Sequence, residues 1–196
     1  MADREAMPMQ RAGPVPLDSG SPSEGTRLPR SIFVGIILAA AAQSVFSFPQ
    51  LPERMASHFG AAGAPNGWMT KEAFFGVYVL MIAVAAFVEF FPARSIARSS
   101  AARINLPHKE YWLAPERRAA TNAYFVKFFA WYGCAVLLTE VLAMGLAIQA
   151  NFNPPPRMPL VPIVATIGGF LLFNVISVIQ LFRRFSKTSQ RNSLGA

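Results

Sequence analysis

The residues best suited to chemistry are a few polar side chains inside long apolar segments. Glu140 lies near the middle of an apolar run at residues 128–150, where a charged carboxylate is costly. Each residue of an α-helix rises about 1.5 Å, so the distance of a residue from the midpoint of its apolar run estimates its depth in the membrane. By this estimate, the depths of Gln43 and Asn174 lie within roughly 8 Å of the depth of Glu140. We therefore predict an intramembrane polar cluster of these three residues. It has two open interpretations: hydrogen bonding between helices, or a proton- or ligand-linked function.

A second group of candidates lies at residues 51–72, between the first two apolar runs. Arg54 and His58 are four residues apart, and Trp68 follows in a glycine-rich stretch. Binding residues concentrate on loops that a rigid scaffold positions, so we predict that these three side chains contact a ligand or partner. Packing or hydrogen bonding within the loop is the alternative role for His58.

Metal binding and catalysis have weaker support. A zinc site needs three or four ligands, and the acidic neighbours of His58 in its segment are only Glu53 and Glu72. The chain contains no phosphate loop, nucleophile elbow, HExxH or CxxC pattern. Its single cysteine, Cys134, cannot form an intramolecular disulfide. We predict no catalytic residue, no metal and no cofactor.

Turn-forming residues predict a compact, ordered connector at 51–72. Pro52 suits the first position of a helical turn, which would run to Phe59 and end at Gly60 with positive φ. Six residues are predicted to shape the loop, the last three as a tight β-turn: Pro52, Gly60, Gly63, Pro65, Asn66 and Gly67.

The connector is predicted to lead directly into a membrane helix. Trp68 suits the membrane–water boundary. Thr70 is a predicted N-cap, and Glu72 is favourable in the first turn because helix N-termini carry partial positive charge.

The composition predicts an all-α polytopic membrane protein. Hydrophobic residues make up 53% of the chain and charged residues 14%, an apolar excess over typical globular proteins. Each apolar run approaches the length of one bilayer crossing. We predict a transmembrane domain at 31–185 with helices at about 31–49, 73–91, 115–150 (including a cytoplasmic extension) and 160–182. A cleaved signal peptide is the rival interpretation of the first run.

The ends of the chain and its charges predict the orientation. Residues 1–30 are rich in Pro, Gly and Ser and are predicted to be a disordered tail, and residues 186–196 a second tail. Fifteen of the 18 Lys and Arg residues lie at residues 1–30, 93–127 or 183–191. The positive-inside rule then puts both termini in the cytoplasm and residues 51–72 outside. It also explains the net charge of +8 better than nucleic-acid binding does.

These segments resemble a bacterial integral-membrane family of unknown function. The family pattern is LP…HF…GxP[DN]GW, followed by a lysine that opens the second transmembrane helix. It is matched by Leu51-Pro52, His58-Phe59, Gly63, Pro65–Trp68 and Lys71. A second segment, from Ile104 to Arg118, is similar to the cytoplasmic loop of stand-alone members. The same domain forms the N-terminal part of Sdp-type immunity proteins, which protect cells from a secreted peptide toxin. No catalytic residues are established for the family.

The resemblance implies a non-enzymatic module in a bacterial cytoplasmic membrane. Its outer loop would recognise a peptide or another envelope ligand, in an immunity-like or sensing role. The alternative is a small transporter or transporter subunit, with Glu140 as a coupling group at the midplane. Four helices leave little room for a pathway, so the alternative requires a homo-oligomer.

Overall fold

The computed structural model describes residues 24–186, and most of these residues are helical. In chain order the helices are α1 (Glu24–Ser47), α2 (Lys71–Arg98), the short α3 (Lys109–Trp112), α4 (Pro115–Phe152) and α5 (Leu160–Phe185). All except α3 are long and apolar enough to cross a membrane. The predicted fold class of four membrane helices is confirmed, and the structure adds one two-stranded β-hairpin.

All four membrane-length helices extend beyond a predicted limit, and α1 and α2 extend furthest, by seven residues each at one end. Helix α1 begins at Glu24, so residues 24–30 are helical although they were predicted to be disordered. Pro29 is buried within α1, and its carbonyl oxygen accepts a hydrogen bond from the Cys134 thiol at 3.1 Å, so packing on α4 orders this turn. Helix α2 continues past Pro92 to Arg98, because membrane helices tolerate proline where neighbours satisfy the freed groups. The rest of the predicted tails, 1–23 and 187–196, lies outside the described residues.

The hairpin replaces the helical turn that was predicted from Pro52 to Phe59. Strand β1 (Arg54–Phe59) pairs antiparallel with β2 (Pro65–Thr70). Met55 lies opposite Met69 in the pairing, and Met55 is fully buried while Arg54 is exposed. The alternation of buried and exposed side chains suits a strand above the helix ends, where only one face needs an apolar surface.

The turn of the hairpin also differs from its prediction. The amide of Gly60 donates to the Ala64 carbonyl at 2.8 Å, and the amide of Gly63 donates to the Gly60 carbonyl at 2.8 Å. The positive φ, +74°, is at Gly63 and not at Gly60. Residues 65–67 belong to β2, so the predicted β-turn at Pro65-Asn66-Gly67 is wrong.

The transition from hairpin to helix follows the predicted chemistry. The Thr70 hydroxyl accepts a hydrogen bond from the Ala73 amide at 3.3 Å, which caps α2, and Glu72 lies in the first turn. At the end of α4, Pro154–Pro156 supply no amide hydrogens and the helix stops at Phe152.

Helix α4 is the centre of the bundle, since α1, α2 and α5 all pack on it. One apolar cluster lies below the hairpin and contains Leu51, Met55, Phe74, Ala147 and Ile148. A second lies near the middle of the helices and contains Phe33, Ala85, Cys134 and Leu137. Many apolar side chains of α2 and α5 point outward, which is compatible with contact to lipid acyl chains.

The end of the bundle opposite the hairpin is joined by polar and aromatic contacts. The Trp112 indole donates to the Phe185 carbonyl at 3.0 Å, and the Thr121 hydroxyl donates to the Trp112 carbonyl at 2.8 Å. The Arg118 guanidinium donates to the Ser99 carbonyl. These bonds connect the C-terminal ends of α2 and α5 with the N-terminal part of α4.

Candidate functional site

The hairpin is attached to α4 by one side chain, Asn151. Its Oδ1 accepts a hydrogen bond from the Ala56 amide at 2.7 Å, and its Nδ2 donates to the Ala56 carbonyl at 2.9 Å. The same Nδ2 also donates to the Ala147 carbonyl at 2.8 Å. Asn151 and Ala56 are both buried, so the side-chain amide replaces the missing neighbour of β1. Asn151 is not among the residues predicted from the sequence, because its partner Ala56 lies 95 residues away in the chain.

Two further attachments fix the ends of the hairpin. At the tip, the Met158 amide donates to the Gly63 carbonyl at 3.0 Å, which ties the turn to the segment before α5. At the base, the Lys71 amide donates to the Glu53 carbonyl at 3.0 Å, and the Lys71 ammonium contacts the Glu53 carboxylate at 2.8 Å. The hairpin backbone is therefore held at its tip, its edge and its base.

Gly63 permits the attachment at the tip. A Cβ at this position would lie 2.6 Å from the Met158 carbonyl oxygen, and the positive φ disfavours any side chain. We expect Gly63→Ala to destabilise the protein by about 1–2 kcal/mol through backbone strain alone. Gly60→Ala is the matched control in the same turn, because its Cβ would meet nothing closer than 3.8 Å. Equal unfolding free energies for the two variants in detergent micelles would contradict this account.

Of the predicted contact residues, Arg54 and Trp68 lie on the same face of the hairpin. Arg54 is paired with Thr70, and Ala56 is paired with Trp68 two positions further along. Side chains two residues apart in a strand share a face, so this face is opposite the buried Met55–Met69 pair. Trp68 is 47% exposed, and Arg54 is exposed. The hairpin thus presents one cationic and one aromatic side chain away from the bundle.

His58 packs against its own hairpin. It is paired with Gly67, where a Cβ would lie 2.9 Å from the His58 Nδ1. The Ser57 hydroxyl lies 3.1 Å from the same nitrogen. These contacts support the packing alternative for His58, and they explain why position 67 is a glycine. The side chain is nevertheless exposed.

The other predicted loop-shaping residues have separate locations. Pro52 is exposed between a short 3-10 turn at Phe48–Gln50 and β1. Gly60 and Gly63 lie in the turn, and Pro65 and Asn66 lie in β2.

The predicted intramembrane cluster is divided in the structure. Gln43 accepts a hydrogen bond from the Tyr78 hydroxyl at 3.3 Å. Asn174 instead accepts a hydrogen bond from the Tyr132 hydroxyl. Tyr132 is eight residues before Glu140 in α4, or about 12 Å along the helix axis. The midpoints of the apolar runs give only an approximate depth for each residue, and neither tyrosine was predicted from the sequence to be a partner.

Glu140 has a buried oxygen without a partner. Its Oε2 is inaccessible to solvent and makes no hydrogen bond within the described residues. Five residues further along α4, the Gln43 amide lies so close to the helix that a Cβ on Gly145 would approach Nε2 to 2.7 Å. Gln43 and Tyr78 therefore join α1 to α2, and Gln43 also packs against α4 at Gly145.

A second intramembrane carboxyl group belongs to Glu89 of α2. It is buried, and neither carboxylate oxygen has a hydrogen-bond partner within residues 24–186. The nearest cation is Arg30 of α1, with 3.9 Å between its Nε and Glu89 Oε1. The Glu89 backbone is packed closely on α4, because a Cβ on Gly133 would lie 3.2 Å from the Glu89 Cα.

Across the described part of the chain, no three His, Cys, Asp or Glu residues are grouped so that they could hold a metal ion. The carboxylate of Glu53, one of the neighbours of His58 in sequence, is engaged by Lys71.

Comparison with known proteins concerns the hairpin and the helices that flank it. A family model described as a domain of unknown function (DUF1648) matches residues 35–82, which cover most of α1, the hairpin and the first part of α2. Neither the curated proteins nor the solved structures contain a match to the chain. The protein is therefore similar, over residues 35–82, to a domain of unknown function, and this segment includes parts of two of the four membrane-length helices found in residues 24–186.

Proposed function

We propose that this protein is a non-enzymatic recognition module of a bacterial cytoplasmic membrane, in which the hairpin binds a peptide or another envelope ligand. The observation that carries the proposal is the exposed pair Arg54 and Trp68 on a hairpin whose backbone is fixed at three places. Arg and Trp are enriched among the residues that dominate binding energy. A fixed backbone lowers the entropy lost on association.

An extracytoplasmic position of the hairpin is part of this proposal. It is supported by the distribution of Lys and Arg, which are concentrated near the ends of the helices opposite the hairpin. The resemblance to Sdp-type immunity proteins supports a peptide toxin as the ligand class. In this role the chain would bind the toxin at the outer surface of the membrane.

The orientation is tested by thiol labelling of intact cells with an impermeant maleimide. Cys134→Ala removes the native thiol, and single cysteines replace Ala62 in the turn and Asn105 at the other end. Both positions are exposed, whereas Gly63 would not accept a side chain. Labelling at 62 and not at 105 supports the proposal. The reverse pattern would place the hairpin in the cytoplasm and overturn external recognition.

Binding is tested by cell survival against a panel of secreted peptide toxins. We expect expression of the chain to protect against at least one peptide. Trp68→Ala or Arg54→Ala should lower the highest toxin concentration that the cells survive by about tenfold or more. Trp131→Ala is the matched control, because Trp131 is 39% exposed but lies in α4 away from the hairpin. Equal protection by the Trp68 and Trp131 variants, at equal protein amounts, would argue against recognition by the hairpin.

A small transporter or transporter subunit is the second candidate, and the unpartnered Glu140 oxygen favours it. An intramembrane carboxyl group with a buried, unpartnered oxygen could take up and release a proton during transport. This function predicts that Glu140→Gln abolishes activity while the hairpin variants are mild. The recognition function predicts the opposite, so one panel of variants distinguishes the two.

A further inference from the structure

A concave basic site lies at the C-terminal end of α2, at the end of the bundle opposite the hairpin. Its volume is about 570 Å³, which is within the usual range of small-molecule sites. Three arginines and three serines line it: Arg94, Arg98, Arg103, Ser95, Ser99 and Ser100. The proposed recognition function uses none of these residues.

The positive charge of this site is not neutralised by the protein. Within residues 24–186 the ion pairs are Arg30 with Glu89 and Lys71 with Glu53, so its three arginines have no carboxylate partner. Guanidinium groups bind phosphate oxygens through two parallel hydrogen bonds, which makes arginine the preferred residue for phosphate recognition. An anion is therefore the class of ligand that would complete the site.

The polar groups around the arginines favour an oxyanion. The hydroxyls of Ser95 and Ser100 make no hydrogen bond within the described residues, so both are available as donors. The carbonyl groups at the end of α2 carry partial negative charge and would oppose an anion. The Ser95 carbonyl, however, accepts from the Ser99 amide at 3.0 Å, and the Ser99 carbonyl accepts from Arg118. These hydrogen bonds reduce the negative potential that the two carbonyl groups would otherwise present to a bound anion.

The surface next to the site identifies a source for the anion. Phe91 lines the same concavity, and its ring is stacked on that of Phe87 one turn earlier at a centroid distance of 4.5 Å. Both rings are more than half exposed and belong to the apolar outer surface of α2. A ligand at the arginines would thus have an apolar path alongside it, as a lipid has below its headgroup.

We propose that this arginine–serine site binds the phosphate group of an anionic phospholipid, with the acyl chains lying along Phe87 and Phe91. The site differs from a diffuse basic surface because its three arginines and three serines line one cavity. Diffuse attraction depends on the number of positive charges, whereas this site depends on the forked geometry of arginine.

The test compares charge-conserving variants of the full chain, purified in mixed micelles with phosphatidylglycerol or phosphatidylcholine. We expect the triple variant R94K/R98K/R103K to bind phosphatidylglycerol about tenfold more weakly, because lysine retains the charge and loses bidentate binding. The matched control is R27K/R117K/R183K, which changes three exposed arginines at the same end of the bundle. All six positions are exposed, so helical content and thermal midpoint should not change.

The outcomes separate the site from its alternatives. Weaker binding in the site variant alone, with preference for phosphatidylglycerol, supports the proposal. Equal affinity in the two variants, or equal affinity for phosphatidylcholine, overturns it. Inorganic phosphate and glycerol phosphate are added as competitors in a separate arm. Displacement by either at low millimolar concentration would retain the phosphate site but assign it to a soluble ligand instead of a lipid.

Discussion

Replacing Asn151 with alanine is expected to lower the free energy of unfolding by about 2–5 kcal/mol. The variant loses the two hydrogen bonds to Ala56 and the one to Ala147. The larger cost comes from the Ala56 amide and carbonyl, because each buried group left without a partner costs about 1–3 kcal/mol. Unfolding in mixed dodecyl sulfate and dodecyl maltoside micelles would measure the change.

The hairpin itself should report the loss of Asn151. We expect faster hydrogen exchange at residues 54–70 in Asn151→Ala, with little change in the centres of the helices. Asn153→Ala is the matched control, because Asn153 is exposed and only two residues away. Unchanged exchange in the hairpin would show that the attachments at Gly63 and Lys71 are sufficient, and would contradict the role assigned to Asn151.

The second large effect is expected at the contact between α2 and α4. A Cβ on Gly133 would lie 2.7 Å from the Glu89 Cβ and 3.2 Å from its Cα. These atoms belong to the helix framework and cannot rotate away, so Gly133→Ala should push α2 and α4 apart. We expect a destabilisation of about 1–3 kcal/mol, typical of overpacked interiors.

Gly168→Ala in α5 is the control for Gly133→Ala. A Cβ there would meet no atom within 4 Å, so the higher helix propensity of alanine should leave stability unchanged or raise it by up to about 1 kcal/mol. The same micelle unfolding experiment measures both variants. A neutral Gly133→Ala would mean that α2 and α4 do not approach each other as closely as described.

The long helices were predictable because their signal is local. Apolar runs of bilayer length identify membrane helices without knowledge of their neighbours, and Thr70 is a capping residue by its own chemistry. The N-terminal end of α1 was less accessible. Residues 24–30 are polar enough to resemble a tail, and their helical structure depends on the contact of Pro29 with Cys134.

The hairpin was missed because short segments have ambiguous periodicity. From Arg54 to Phe59, the same residues fit a helical face and a strand alternation, and Pro52 favoured the helix. The deciding partner is Asn151, which lies 95 residues away from Ala56. No local pattern could indicate that a side-chain amide would complete the edge of β1.

Contacts between residues of different helices were also not predictable from local sequence. By helix propensity alone Gly133 is an unfavourable residue within α4, although the close approach of Glu89 requires a glycine there. Asn174 was placed at the depth of Glu140, but its partner is Tyr132. Relative depth depends on how far each helix extends beyond the bilayer, which the length of an apolar run does not reveal.

The clamp between Asn151 and Ala56 has a consequence for how the chain is made. At a synthesis rate of about 5–20 residues per second, the 95 residues between these positions take roughly 5–20 s to add. During this time β1 lacks the Asn151 amide at its edge, and a two-stranded hairpin with few supporting contacts is marginally stable in water. The hairpin therefore becomes a fixed surface only after the ribosome has completed the third long helix.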